Sequence, residues 1–376
     1  MNWIFLDSIE WDYDVSTPLE RPLGGSQSAL CYLAAALARR GHAVATLTAT
    51  RSPRVVNGVR CLSNAQIPED LFEPSDTIVV VLNGPANFGP REIRKAVSRM
   101  PPIILWTQHA HDQPAVAALA DPACRALWDG IVCISDWQRN MYCERIGVPL
   151  ERMDILRNAI GPAFEGLFGD ANELAEAKPA PLRLTYTSTP FRGLHVLLAV
   201  FTEVLRRHPD CRLDVFSSMQ VYNVPSARDP FRPLYTDAEG VNYRGSIPQP
   251  ALAEEMKGVH VLAYPNTFAE TACIAAMEAL AAGALVVSTK LGALPETCAG
   301  WARLIQPISP THNAKAFQLE FQETLCAVLA DIKADPQRFL QERFNQVRQI
   351  NVTGTWDVRA SEWEAAGYRW LRERRA

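Results

Sequence analysis

The chain has no Cys-x-x-Cys pair. Its nine cysteines stand singly along 376 residues, so neither a zinc ribbon nor a dithiol redox centre is encoded, and reduced thiols packed as small apolar groups are expected. No hydrophobic run reaches the length of a membrane span: IILW and DTIVVVL break after a few residues. The phosphate-cradling patterns G-x-G-x-x-G and G-x-x-x-x-G-K-[ST] are also missing, which removes the usual NAD enzymes and P-loop ATPases. There is no surplus of positive charge. Lys and Arg number 37 against 41 Asp and Glu, a formal net charge of −4, and a pI near 6.0 argues against nucleic acid as a partner. The opening residues MNWIFLDSIEWDYD are acidic and carry no basic leader, which predicts a cytoplasmic protein.

What is present is an alternation. Short apolar, β-rich runs (NWIFLDS, AVATLTA, DTIVVVL, PPIILWT, IVCIS) are separated by helical patterns such as SQSALCYLAAALARRG and DWQRNMYCERIG. This rhythm predicts an α/β protein built on parallel sheets. The text turns rich in Gly, Pro, Ala and acids around residues 166–180, which reads as a linker. A second series follows: LRLTYTS, GLHVLLAVFTEVLRRHP, CRLDVFSS, VHVLAYP and ALVVST. Two doubly wound, Rossmann-like domains facing across a cleft are expected, an N-terminal one over 1–165 and a C-terminal one over 181–350. Ligands should lie beyond the carboxyl ends of the strands. Residues 351–376 read as a terminal helix packing back toward the first domain, with Trp356, Trp363, Tyr368 and Trp370 as anchors.

Within FAETACIAAMEALAAGALVVSTK, Glu270 and Glu278 stand eight positions apart, and Glu278 is the one charged residue from Thr271 to Thr289. A carboxylate in a segment this apolar is costly unless something pairs with it. Eight residues of helix rise by about 12 Å, so the pair can hold two ends of an extended ligand with the helix N-terminus between them as a phosphate site. A nucleotide-sugar has that form. The plainer alternative pairs Glu278 with a core Arg or Lys and leaves Glu270 in solvent. Gly24-Gly25, opening a helix, offers close backbone approach. His109 and His111 flank the end of IILWTQ; as an H-x-H pair they lack a third ligand with zinc spacing, so no metal is expected.

Together with WTQHAHD, ISDWQRN, LRNAI, PFRGL and YRGSIP, the paired-glutamate segment resembles the retaining, nucleotide-sugar-dependent glycosyltransferases of the two-domain GT-B fold, a family with many bacterial polysaccharide and lipopolysaccharide enzymes. The resemblance implies Glu278 on the ribose hydroxyls and Glu270 against the transferred sugar, within a donor segment that includes Phe268, Thr271, Ala272 and Cys273. It implies Arg192, before Gly193, as the phosphate-clamp cation, while the family's second cation falls on Thr187, a departure. It places Gly24 and Gly25 over donor phosphates and acceptor, a histidine (His109, or else His111) at the reacting sugar, and Asn158 before the domain crossover. The implied catalytic residues are thus Arg192, Glu270 and His109. The co-substrate is a UDP- or GDP-sugar, with no cofactor and no metal, and the acceptor is a hydroxyl, lipid-linked glycans included.

Two rival functions share these features. A nucleotide-sugar epimerase has the same architecture and needs no acceptor. A degenerate, non-catalytic binding protein would account for the missing cation at Thr187. The helix REIRKAVSRM, with Arg91, Arg94, Lys95 and Arg99, is either a solvated basic face or a contact for anionic lipid at the inner face of a membrane.

Overall fold

The computed structural model describes residues 1–68, 70–84, 90–96, 101–236, 238–309 and 313–375. The strands are β1 (Asn2–Leu6), β2 (Ala43–Thr48), β3 (Arg54–Val56), β4 (Val59–Ser63), β5 (Thr77–Leu82), β6 (Ile103–Trp106), β7 (Gly130–Cys133) and β8 (Met153–Ile155), then β9 (Leu182–Tyr186), β10 (Cys211–Val215), β11 (Val241–Tyr243), β12 (Val261–Ala263), β13 (Leu285–Thr289) and β14 (Ala302–Ile305). The helices are α1 (Thr17–Glu20), α2 (Gly25–Arg39), α3 (Pro90–Ala96), α4 (Pro122–Arg125), α5 (Asp136–Ile146), α6 (Ala171–Ala177), α7 (Leu194–Arg207), α8 (Gln249–Lys257), α9 (Ile274–Ala281), α10 (Leu294–Cys298), α11 (Ala314–Ala334), α12 (Pro336–Thr353) and α13 (Trp356–Arg375).

The elements divide into two compact units. The first holds residues 1–18, 25–159 and 356–376, and the second holds 19–24 and 160–355. In the first, eight strands run in the order β3-β4-β2-β1-β5-β6-β7-β8, all pairings parallel except β3 with β4 at the edge. Strands such as TIVVVL are buried along their whole length, as a sheet covered on both faces requires. The second sheet has six parallel strands ordered β11-β10-β9-β12-β13-β14. Each order reverses once, between β1 and β5 and between β9 and β12, and the crevice at such a reversal is where an open α/β sheet binds ligand.

Three sequence expectations are corrected. Residues 166–180 are not a bare linker: they contain α6, capped by the Asp170 side chain, and Leu174 is fully buried against Phe168 and Val347 in the second unit. The composition misled because one apolar residue per helical face is enough for a seven-residue helix. Among the anchors of α13, Trp356, Trp363 and Trp370 are buried, whereas Tyr368 is 55% exposed. Positions 356, 363 and 370 recur every two turns and share a face; 368 falls off it. Trp363 packs edge-on against Trp106 at 5.1 Å and near Trp3 at 6.2 Å. The third concerns α3, where Arg94 turns inward to Asp129 at 2.8 Å and to the Leu127 carbonyl. It therefore does not belong to an outward basic face, and Arg99 lies outside the described residues. All nine cysteines are free thiols. No helix among the described residues is long and apolar enough to cross a membrane.

Candidate active site

In the second unit, the loops after β9 and β12 leave the carboxyl ends of the two strands that flank the reversal. The first carries Arg192 and the second Glu270. The path is tight. Gly193 has φ +112°, and a Cβ there would lie 2.1 Å from the Pro265 carbonyl oxygen, so only glycine lets the Arg192 turn pass the β12 loop. On the other side, Gly292 (φ +64°) backs onto the Glu270 backbone, where a Cβ would come within 2.3 Å of its oxygen, and the Ala293 N–H donates to that same carbonyl at 2.7 Å. Glu270 is thereby fixed by the loop after β13, a contribution that only the glycine in KLGALPE hints at.

Arg192 Nη1 donates to Glu270 Oε1, and the Tyr264 hydroxyl donates to the same oxygen. Both partners are largely buried, with side chains 18% and 6% exposed. The guanidinium lies over Phe268 at 4.5 Å and over Phe191 at 5.4 Å, and its Nη2 donates to the Tyr222 hydroxyl at 3.3 Å. Its Nε, buried, has no protein partner. Two of the five guanidinium N–H groups are thus bonded within the protein, and Glu270 Oε2 takes no bond from Arg192 or Tyr264. Tyr222, Tyr264 and Gly292 were not foreseen from the sequence.

Helix α9 starts later than the sequence suggests. Thr271, Ala272 and Cys273, all buried, form a bend after Glu270, and Cys273 adopts a left-handed conformation (φ 67°) as the residue before the first turn. Glu270 therefore precedes the helix and does not sit on it. Glu278, within α9, is 5% exposed. No basic side chain pairs with it among the described residues; its Oε1 accepts the Gly161 N–H at 3.4 Å, and the Gln249 side chain donates to it. Burial pushes the Glu278 carboxyl up to about 8, with those two hydrogen bonds opposing the shift. Thr187, half-buried beyond β9, makes no bond to Arg192 or Glu270.

The remaining candidates lie elsewhere. Gly24 groups with the second unit, while Gly25 opens α2 in the first. His109 follows β6 after Thr107 and Gln108. Its carbonyl is held by Gln138 Nε2 at 2.9 Å and by the Tyr142 hydroxyl at 2.8 Å, but its Nδ1 is buried without a partner. Burial alone lowers its imidazole from the usual range. His111 has an unpartnered Nδ1 as well and packs against Trp137. Asn158, 2% exposed, donates to Gln108 Oε1 at 2.9 Å and keeps Oδ1 unpartnered. The loop after β1 adds Asp7, buried, which accepts from Tyr13 and from Gln27 at the start of α2.

Two doubly wound sheets, the second with an Arg–Glu pair at its reversal, define the GT-B class. Residues 183–320, all in the second unit, match the family model described as Glycosyl transferases group 1. Over 333 residues the chain is 23% identical to the phosphatidyl-myo-inositol mannosyltransferase of Mycolicibacterium smegmatis, covering 78% of this chain and 80% of that protein. Its fold is similar to sucrose-phosphate synthase from Thermosynechococcus elongatus, with a TM-score of 0.69 at 16% identity over 99% of this chain and 100% of that one. It is also similar to Anabaena HepE in complex with UDP-glucose, with a TM-score of 0.63 at 12% identity over 97% and 100%. The protein is a glycosyltransferase with the GT-B fold.

Proposed function

We propose that the protein moves a hexose from a nucleoside-diphosphate sugar to a hydroxyl acceptor with retention of anomeric configuration and without a metal ion. The observation that carries the reading is the buried Arg192–Glu270 pair beside the start of α9. The unpartnered Arg192 Nε, with the positive end of the helix dipole, suits a leaving diphosphate, and charge stabilisation of this kind replaces a cation. Glu270 Oε2 then accepts a hydroxyl of the transferred sugar. Glu278, with no cation of its own, takes the two ribose hydroxyls. The acceptor is assigned to the first unit, where His109 Nδ1 has no protein partner. The acceptor oxygen bonds to the anomeric carbon on the face from which the diphosphate departs, and its proton passes to the departing phosphate, so the protein's work is positioning and charge stabilisation. UDP-glucose in the complex of HepE supports a nucleotide-sugar donor, and a peripheral site at the cytoplasmic face of a membrane would fit a lipid-linked acceptor.

The test is a panel of UDP-, GDP- and ADP-hexoses incubated with alcohol and glycan acceptors, with and without a chelator, the product anomer being read by NMR. Transfer with retention, undiminished by chelator, is expected. Sugar interconversion without acceptor would replace the reading with an epimerase, and inversion would refute the stereochemistry.

A further inference from the structure

The second sheet has another end. At the amino ends of β13 and β14, away from the loops that carry Arg192 and Glu270, a cavity of about 440 Å³ opens between the last turns of α11 and the first turns of α12. That volume suits a small organic ligand.

Its chemistry centres on Arg343, which lines it and is 5% exposed. The guanidinium faces are covered, over Trp301 at 5.9 Å and Phe339 at 5.5 Å. Its edge is not. Nη1 makes one long bond, 3.5 Å, to the Trp301 carbonyl. The Glu342 carboxylate stands 3.6 Å from Nη2, beyond hydrogen-bonding length, and its other oxygen is taken by Arg338 at 3.0 Å. Nε is buried with no partner. Of the other acids on the wall, Asp335 is occupied capping α12 through the Arg338 N–H, and no ion pair joins Asp331 to Arg343. Arg303, exposed at the rim, has neither a hydrogen bond nor an ion pair among the described residues.

A buried guanidinium left this poorly paired is expensive. Burial draws it down to about 10; Glu342 opposes that shift, and the like charge of Arg303 adds to it. A further buried cation feels the same repulsion. Lys178 donates to the carbonyls of Lys257, Val259 and Ala282 and to no carboxylate, and Arg343 is among the charges that disfavour its ammonium. A buried guanidinium whose one carboxylate neighbour stands 3.6 Å away, beside an indole and a cavity, describes half of a binding site.

We propose that this cavity is a second ligand site, taking a phosphomonoester that carries a flat apolar group, with the phosphoryl oxygens on Arg343 and Arg303 and the flat group against Trp301. A phosphomonoester dianion matches two guanidinium forks in charge and geometry. Inorganic phosphate alone leaves most of the cavity unfilled.

The test is calorimetric titration of the full chain with phenyl phosphate and, separately, with inorganic phosphate; it reads binding and is independent of any transferase activity. Phenyl phosphate should bind one per chain and more tightly than phosphate. Arg303→Ala, an exposed change that spares the fold, should weaken it by about tenfold or more, the loss of one charge-assisted contact; Arg343→Gln should do the same. The double variant Arg192→Ala/Glu270→Ala, which removes both charges of the donor-side pair, should bind phenyl phosphate as the parent does. No binding to the parent, unchanged affinity in Arg303→Ala, or loss in the donor-side variant would each overturn the proposal. Equal affinity for the two probes would overturn the requirement for a flat group.

Discussion

The two units share a sheet architecture and differ in how their polar groups are satisfied. At the carboxyl ends of the second sheet, charge answers charge: Arg192 meets Glu270, and even the uncompensated Glu278 is met by a backbone N–H and an amide. At the carboxyl ends of the first, His109 Nδ1, His111 Nδ1 and Asn158 Oδ1 are buried without hydrogen-bond partners. A buried ion pair is costly to break from one side. A ring nitrogen that bonds to nothing in the protein can be changed without breaking a native hydrogen bond. The difference places the buried ion pair with the second unit and the unpartnered polar atoms of these candidates with the first.

The comparison breaks most visibly at Arg192. Arg192→Ala should lower turnover by about 10²- to 10³-fold and destabilise the fold by about 3–5 kcal/mol, because Glu270 is left buried without its cation. Steady-state kinetics and urea unfolding read the two effects. The double variant with Glu270→Ala should lose less stability than the two single losses summed; strict additivity would mean the pair is not coupled.

Glu278 gives the next largest effect, through pH. Its carboxyl is raised by burial from 4.5 to about 8, so the folded state keeps a proton that the unfolded state releases. The stabilisation is complete below about pH 4.5 and is lost as pH rises to about 8. Relative to Glu278→Gln, the parent should therefore weaken by a few kcal/mol across that window and level off above it. A pH-independent difference in denaturant midpoints would show that the buried carboxyl is ionised throughout. Donor binding near pH 7 should also release a proton, seen as a binding heat that depends on the buffer.

Gly193→Ala should destabilise by about 2–4 kcal/mol, from positive φ and from the Pro265 carbonyl, read as a shift in the urea midpoint. The smallest effect is expected in the first unit. His109→Gln should change stability by less than about 1 kcal/mol while turnover falls about tenfold or more. A loss of stability as large as that of Arg192→Ala would erase the contrast between the units.

Local pattern carried the fold a long way. Runs such as TIVVVL and LVVST read as buried parallel strands, Glu270 and Glu278 read as ligand groups from their spacing in an apolar segment, and Arg192 was implied by the family resemblance. What the sequence hid was tertiary. Arg192 and Glu270 lie 78 positions apart; Arg192 also bonds Tyr222, from the segment after β10, and Glu270 accepts from Tyr264, at the start of its own loop after β12. TACIAAMEALA reads as unbroken helix because every residue tolerates one; Cys273 turns left-handed inside a bend whose Ala272 carbonyl takes the Thr297 hydroxyl. Glu278 was expected to hold out for a side-chain cation or a ligand, and no periodicity could reveal that the Gly161 amide reaches it from 117 positions away.

The placement of α13 has a consequence for how the chain is made. Trp363 fills the space between Trp3 and Trp106, so the first unit lacks part of its centre until residues near 370 have left the ribosome. Residues 160–355 emerge earlier and contain all but six residues of the second unit. Synthesis from the amino end should thus finish the later-encoded body first, and a nascent chain stopped at Thr355 would leave two indoles of the earlier one exposed, a natural handle for chaperones.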